Sequence, residues 1–179
     1  MDGVERLLAE LTAWSAEERA DDAARSRSRE RSLRQQAAEE ATFAGTVLDL
    51  AETGAVVAVQ VAGGRVYRGP AVGVGRDFLA VRTESGHLIL IVLDAVAAVR
   101  PADARRAAAG SRKPGHRTLM QLLGLCVEDR PRVQIVAAGE TVIGELIGVG
   151  DDVLSVRGEG GLAAVAYVPA ASVSEVSLG

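Results

Sequence analysis

Val61-Ala62-Gly63-Gly64-Arg65-Val66-Tyr67-Arg68-Gly69-Pro70-Ala71-Val72-Gly73-Val74-Gly75-Arg76-Asp77-Phe78-Leu79-Ala80-Val81-Arg82 returns later in the same chain as Val136-Ala137-Ala138-Gly139-Glu140-Thr141-Val142-Ile143-Gly144-Glu145-Leu146-Ile147-Gly148-Val149-Gly150-Asp151-Asp152-Val153-Leu154-Ser155-Val156-Arg157. At one constant offset, Gly64, Gly69, Gly73, Gly75, Asp77, Leu79, Val81 and Arg82 reappear as Gly139, Gly144, Gly148, Gly150, Asp152, Leu154, Val156 and Arg157. A segment used twice has to supply the same turns and the same buried face each time, so the repetition is direct evidence about architecture.

Working outward from this stretch, Val57, Val59 and Val61 alternate, as do Val133 and Ile135, which marks a half-buried first strand in each copy. Gly63-Gly64 and Ala138-Gly139 supply hairpin turns that need positive φ. The second strands run through Gly69 and Gly144, where the missing side chain predicts a sharp bend or bulge. Turns at Gly75-Arg76-Asp77 and Gly150-Asp151-Asp152 follow, with Asp77 and Asp152 placed to satisfy turn amides. Third strands are predicted at Phe78 to Arg82 and Val153 to Arg157, fourth strands at His87 to Leu93 and Leu162 to Val168. The copies close with Ala95 to Val99 and Ser172 to Val176. Upstream, Phe43, Val47, Leu50 and Ala51 in one copy, and Leu119, Leu122, Leu123, Cys126 and Val127 in the other, have helical spacing. Gly54 is suited to end the first of these helices. A helix followed by five short, bent strands implies a small closed barrel, because closure removes sheet edges.

The fold class expected is therefore mainly β with helices (α+β): two tandem five-stranded barrels, each preceded by a short helix, plus an N-terminal helical extension. The boundaries are 1–42 for the extension, 43–101 for the first barrel, 102–117 for a flexible basic linker and 118–179 for the second barrel. In the extension, Val4, Leu7, Leu8, Leu11 and Trp14 form one apolar stripe, predicting a helix over 3–14. Ser15-Ala16-Glu17-Glu18 matches a capping box and predicts that a second helix starts there. From Ala16 to Thr42, Ala, Arg, Glu and Gln dominate, a strongly helical composition with little to bury.

The charge is unevenly spread. The net charge of −4 argues against a surface that grips phosphates throughout, and residues 118–179 hold three bases against eight acids. Polyanion contact would fall on Arg25, Arg27, Arg29, Arg31 and Arg34 in the extension, or on Arg112 and Lys113 in the linker. The alternative for the Arg run is pairing with Asp21, Asp22, Glu30 and Glu39 along a solvated helix. Aromatic content of 3% leaves few platforms for stacking nucleic-acid bases.

No catalytic, cofactor or metal constellation is expected. Cys126 is a lone cysteine, read as a small buried hydrophobe, and His87 and His116 have no companions at metal-ligand spacing. Gly73-x-Gly75 and Gly148-x-Gly150 precede strands, so the helix N-terminus of a phosphate loop is missing. With neither a signal-peptide pattern nor about 20 consecutive apolar residues, the expected location is cytoplasmic.

The helix, five strands and the run Val59-x-Val61-x-x-Gly64-x-x-x-x-Gly69-x-x-x-x-Val74 resemble the first motif of the Sm-like superfamily, which includes the Hfq-type RNA chaperones. Leu93 to Pro101 is similar to the last strand of the Hfq type, and other SH3-like barrels share the glycine rhythm. The resemblance covers 43–101 and 118–178. It implies a fold and a tendency to associate by strand addition. The RNA-contacting residues of the family are not carried over: Gly75 and Gly150 stand where the family has Asp, and Leu79 and Leu154 where it has a base-contacting Asn. Leu93 and Asp94, with Ala170 and Ala171 in the second copy, replace its basic and histidine residues. The expected function is that of a non-enzymatic interaction or assembly module, partnered by another protein or by itself. The alternative is an RNA-binding regulator that uses the basic arm and linker. Neither a membrane nor a small-molecule substrate is indicated.

Overall fold

The computed structural model describes residues 3–103, 113–158 and 164–179. The chain divides into two compact units, Met1–Ala41 and Thr42–Gly179.

The first unit is a single helix, α1 (Gly3–Glu39). The break expected at Ser15 does not occur. Serine inside a helix costs only a few tenths of a kcal/mol relative to alanine, and the Ala, Arg, Glu and Gln residues on either side are good helix formers. Contacts one turn apart support the C-terminal half: Arg34 to Glu30 at 3.3 Å, Gln35 to Glu39 and Gln36 to Glu40 at 3.2 Å. Of the apolar stripe near the start, only the Trp14 side chain lies among those described, and it is exposed.

The second unit opens with α2 (Phe43–Glu52), whose N-cap Thr42 accepts the Gly45 amide at 3.0 Å. Val47 and Leu50 are buried, and Gly54 ends the element at φ +62° as its sequence position predicts. Five strands follow: β1 (Val56–Val61), β2 (Val66–Val74), β3 (Phe78–Arg82), β4 (Leu88–Val92) and β5 (Val96–Pro101). The second copy repeats the series. Its helix α3 (Leu119–Gly124) has Thr118 as N-cap in a complete capping box with Gln121, and a 3-10 turn over Val127–Asp129 replaces the rest of the expected helix. Then come β6 (Arg132–Ala137), β7 (Glu140–Val149), β8 (Val153–Gly158), β9 (Val165–Pro169) and β10 (Val173–Leu178).

Two separate closed barrels are not what these strands form. All ten belong to one open antiparallel sheet in the order β5-β1-β2-β3-β4-β10-β6-β7-β8-β9. Each copy keeps the same internal order, its last strand lying beside its first, and the copies are fused where β10 pairs with β4. The physical reason is in β4 itself: Leu88-Ile89-Leu90-Ile91-Val92 is apolar on both faces, as a strand covered on both sides must be.

Equivalent details recur. The β2–β3 ladder shifts register between Ala71 and Gly73, and β7–β8 does so between Leu146 and Gly148, so both copies carry a bulge at the same place. The sequence places that irregularity at Gly69 and Gly144, three residues too early. Those glycines serve a close approach instead: a Cβ on Gly69 would overlap the Arg82 carbonyl, and one on Gly144 the Arg157 carbonyl. The first hairpins differ by one residue. Val59 pairs with Tyr67 but Ile135 with Val142, which makes the second turn a tight two-residue one with Ala138 at φ +51° and Gly139 at +87°.

The core has two parts. Val57, Val59, Leu79, Val81, Ile89 and Ile91 pack with Val47 and Leu50 of α2 in the first copy. The second cluster joins α3 with β6 to β10, and it also takes in Phe78, Ala80 and Leu90 from the opposite faces of β3 and β4. The linker is partly anchored: the Gly115 amide donates to the Val74 carbonyl at 3.2 Å and the Arg76 amide to the Arg117 carbonyl at 2.9 Å. Residues 104–112 of the expected flexible linker and 159–163 of the expected loop and fourth strand lie outside the described residues.

Candidate interaction surfaces of the sheet

The junction between the copies is sealed by a polar cluster that sequence reasoning missed. Glu175 on β10 is the one buried charged residue among those described, with its side chain 2% exposed. Its Oε1 accepts from Arg65 Nη1 at 2.7 Å and from the Tyr67 hydroxyl at 2.8 Å, while the Ser174 hydroxyl lies 3.4 Å from Oε2. Arg65 and Tyr67 belong to the first copy, at the end of its hairpin and the start of β2. A carboxylate removed from water needs a charged partner and filled hydrogen-bond positions, and this one has both. Burial, then the hydrogen bond and charge of Glu175, push the Tyr67 phenol up to about 12. The hydrogen bond to Glu175 raises the Arg65 guanidinium above its ordinary value. The signal in the sequence is an asymmetry: the strand equivalent to β10 in the first copy carries Ala98 where β10 carries Glu175, because Ala98 pairs with Gln60 as Glu175 pairs with Val136.

Asp77 also acts across the junction. Its Oδ1 accepts the amide of Leu119, the first residue of α3, at 2.8 Å. The expected role in its own turn is thus corrected for Asp77: it reaches one of the amides that a helix start leaves without an intrahelical partner. The matching carboxylate, Asp152, is exposed and makes no side-chain hydrogen bond among the described residues.

At its two ends the sheet is unpaired. β5 and β9 each have a neighbour on one side only, β1 and β8. Large apolar side chains lie exposed on β9, with Tyr167 at 72% and Val165 beside it, and at the start of α2, with Phe43 at 44%. Each edge strand also contains a proline, Pro101 in β5 and Pro169 in β9. A proline has no amide hydrogen to give to an added strand, and edge strands are commonly blunted in this way.

The basic residues singled out from the sequence fall in both units of the chain. Arg25, Arg27, Arg29, Arg31 and Arg34 are exposed on α1, with Arg25 3.6 Å from Asp22 and Arg34 3.3 Å from Glu30. Helical spacing puts Arg27, Arg31 and Arg34 on one stripe and turns Arg25 and Arg29 away from it. Lys113 is exposed in the other unit, and Arg112 lies outside the described residues. Cys126 is half-buried just after α3; its thiol donates to the Leu123 carbonyl at 3.1 Å, and burial raises its pKa. His87 and His116 are exposed, and no group of three metal-ligating side chains occurs among the described residues. No helix among the described residues is long and apolar enough to cross a membrane.

No protein-family model matches the chain, and no curated protein matches it either.

Proposed function

We propose that this chain is a non-enzymatic interaction and assembly module whose working surfaces are the two open ends of its sheet. The observation that carries the reading is that strands β5 and β9 are unpaired on one side and that β9 carries the exposed Val165 and Tyr167. Backbone groups along an edge strand add to another strand, and apolar side chains beside them supply the burial that makes such addition favourable. Pro101 and Pro169 shorten the usable ladder, which suits reversible assembly and opposes open-ended aggregation. The Sm-like likeness belongs to this proposal, supported by the helix and five strands found in the same order in each copy. A cytoplasmic setting belongs to it as well.

A second reading, an RNA-binding regulator, draws on the exposed stripe of Arg27, Arg31 and Arg34. The pairing of Arg34 with Glu30 weighs against it. Sedimentation velocity separates the two. The assembly reading expects a weight-average mass that climbs with protein concentration, in the absence of nucleic acid. A strict monomer at all concentrations overturns it. Co-sedimentation with generic single-stranded RNA at low salt, lost when the five arginines of α1 become glutamine, would instead favour the RNA reading.

A further inference from the structure

The contact that joins the two copies inside one chain is left half-used at each end of the sheet. Because the copies have the same strand order, β9 corresponds to β4 and β5 corresponds to β10. The registers fix the match residue by residue. Leu154 opposes Val168 as Leu79 opposes Ile91, so Tyr167 stands where the junction has buried Leu90, and Asp152 where it has Asp77. Phe43 follows the N-cap Thr42 as Leu119 follows the N-cap Thr118, and this equivalence assigns Phe43 to the β5 end as Leu119 belongs to the β10 side of the junction. Inside the chain, Leu90 and Leu119 share one buried cluster and Asp77 accepts the Leu119 amide. Their counterparts Tyr167 and Phe43 are exposed, and the Asp152 carboxylate has no hydrogen-bond partner among the described residues.

We infer that a second copy of this chain docks head to tail on the first, its Phe43 and β5 end seated on the Asp152, Tyr167 and β9 end. The inference rests on the assembly reading above and names its occupant and its geometry: a heterologous contact that repeats the internal junction. In this contact the Phe43 ring of one copy covers Tyr167 of the other, and Asp152 accepts the Phe43 amide. One part of the junction has no counterpart. Where the junction has Arg65, Tyr67 and Glu175, the ends offer Glu140, Val142 and Ala98. Pro169 also takes the place of Val92, and Pro101 that of Leu178. The contact between chains is therefore weaker than the one within a chain and depends on concentration.

The test uses the full chain with Tyr167→Asp, with Phe43→Asp, and with the two variants mixed in equal amounts, followed by sedimentation equilibrium. Both positions are exposed, so folding is expected to survive, and circular dichroism checks it. Each variant alone should be monomeric, because every copy lacks the same end, and the mixture should give a one-to-one dimer that grows no further. Self-association of either variant at the wild-type level, or a mixture that stays monomeric beside an associating wild type, overturns the head-to-tail contact while leaving the assembly reading standing. A wild type that never associates overturns both. A gain-of-contact variant provides an independent arm: Ala98→Glu, Glu140→Arg and Val142→Tyr together transplant the missing cluster and should tighten association by at least about tenfold. Unchanged or weakened association in that variant also counts against the geometry.

Discussion

Arg65→Met should destabilise the protein more than removal of Glu175 itself does, read as a lowered urea midpoint at unchanged slope. The methionine keeps most of the side-chain bulk but removes the charge that faces Glu175. That carboxylate is shut away from water and would keep only the Tyr67 hydroxyl at 2.8 Å and the Ser174 hydroxyl at 3.4 Å. Losing one partner of a buried pair strands the other, which is why the cost exceeds that of an ordinary hydrogen bond. Glu175→Ala removes the stranded charge itself. The Arg65 side chain is 39% exposed and can turn to solvent, so this variant should lose less, about 1–2 kcal/mol. The double variant should sit close to Glu175→Ala alone, giving a strongly non-additive cycle. An Arg65→Met cost below that of Glu175→Ala would contradict the assignment of this cluster as the seal between the copies.

Gly69→Ala should cost more than about 4 kcal/mol, enough to leave the chain largely unfolded. Two independent effects add at this position. Its φ of +155° is a backbone conformation that residues with a Cβ rarely adopt, and the new methyl group would overlap the Arg82 carbonyl where β2 passes β3. The obstacle is backbone and cannot rotate away. Gly144→Ala should be severe for the second of these reasons, against the Arg157 carbonyl. The control is Gly63→Ala: a Cβ there meets nothing within 4 Å, and the expected change is within about 0.5 kcal/mol. Thermal melts of the three variants rank them directly. Tolerance of alanine at Gly69 would show that β2 does not cross β3 as closely as described.

How much of this was legible in the sequence differs from element to element. The repeat revealed the helix and strand series of each copy, because Gly64 recurs as Gly139 in turns that need positive φ, and Gly69 and Gly75 recur as Gly144 and Gly150 where close approaches leave little room for a side chain. What the repeat could not reveal is the relation between copies, since that depends on the positions at which they differ. β4 reads Leu88-Ile89-Leu90-Ile91-Val92 and β9 reads Val165-Ala166-Tyr167-Val168-Pro169. The first is apolar throughout because it is central; the second has a tyrosine and a proline because it is an edge. In the same way Ala80 faces the second cluster while Ser155, its equivalent, does not. Periodicity within one copy predicts a closed unit and treats these differences as noise. Glu175 escaped notice because an acid on a strand next to Ser174 usually faces water, and its partners Arg65 and Tyr67 lie more than a hundred residues earlier. The long α1 was nearly all visible from composition, except that a capping motif proved compatible with the interior of a helix.

Amide hydrogen exchange along the β4–β10 ladder asks most directly whether the two copies form one cooperative sheet. If they do, the amides that pair Leu88 to Ile91 with Glu175 to Leu178 exchange only through global unfolding, as slowly as those within β3 and β7. Exchange of this ladder orders of magnitude faster than that of β3 and β7 would mean that the copies open independently, and would contradict the fused sheet on which the open ends and the head-to-tail contact depend.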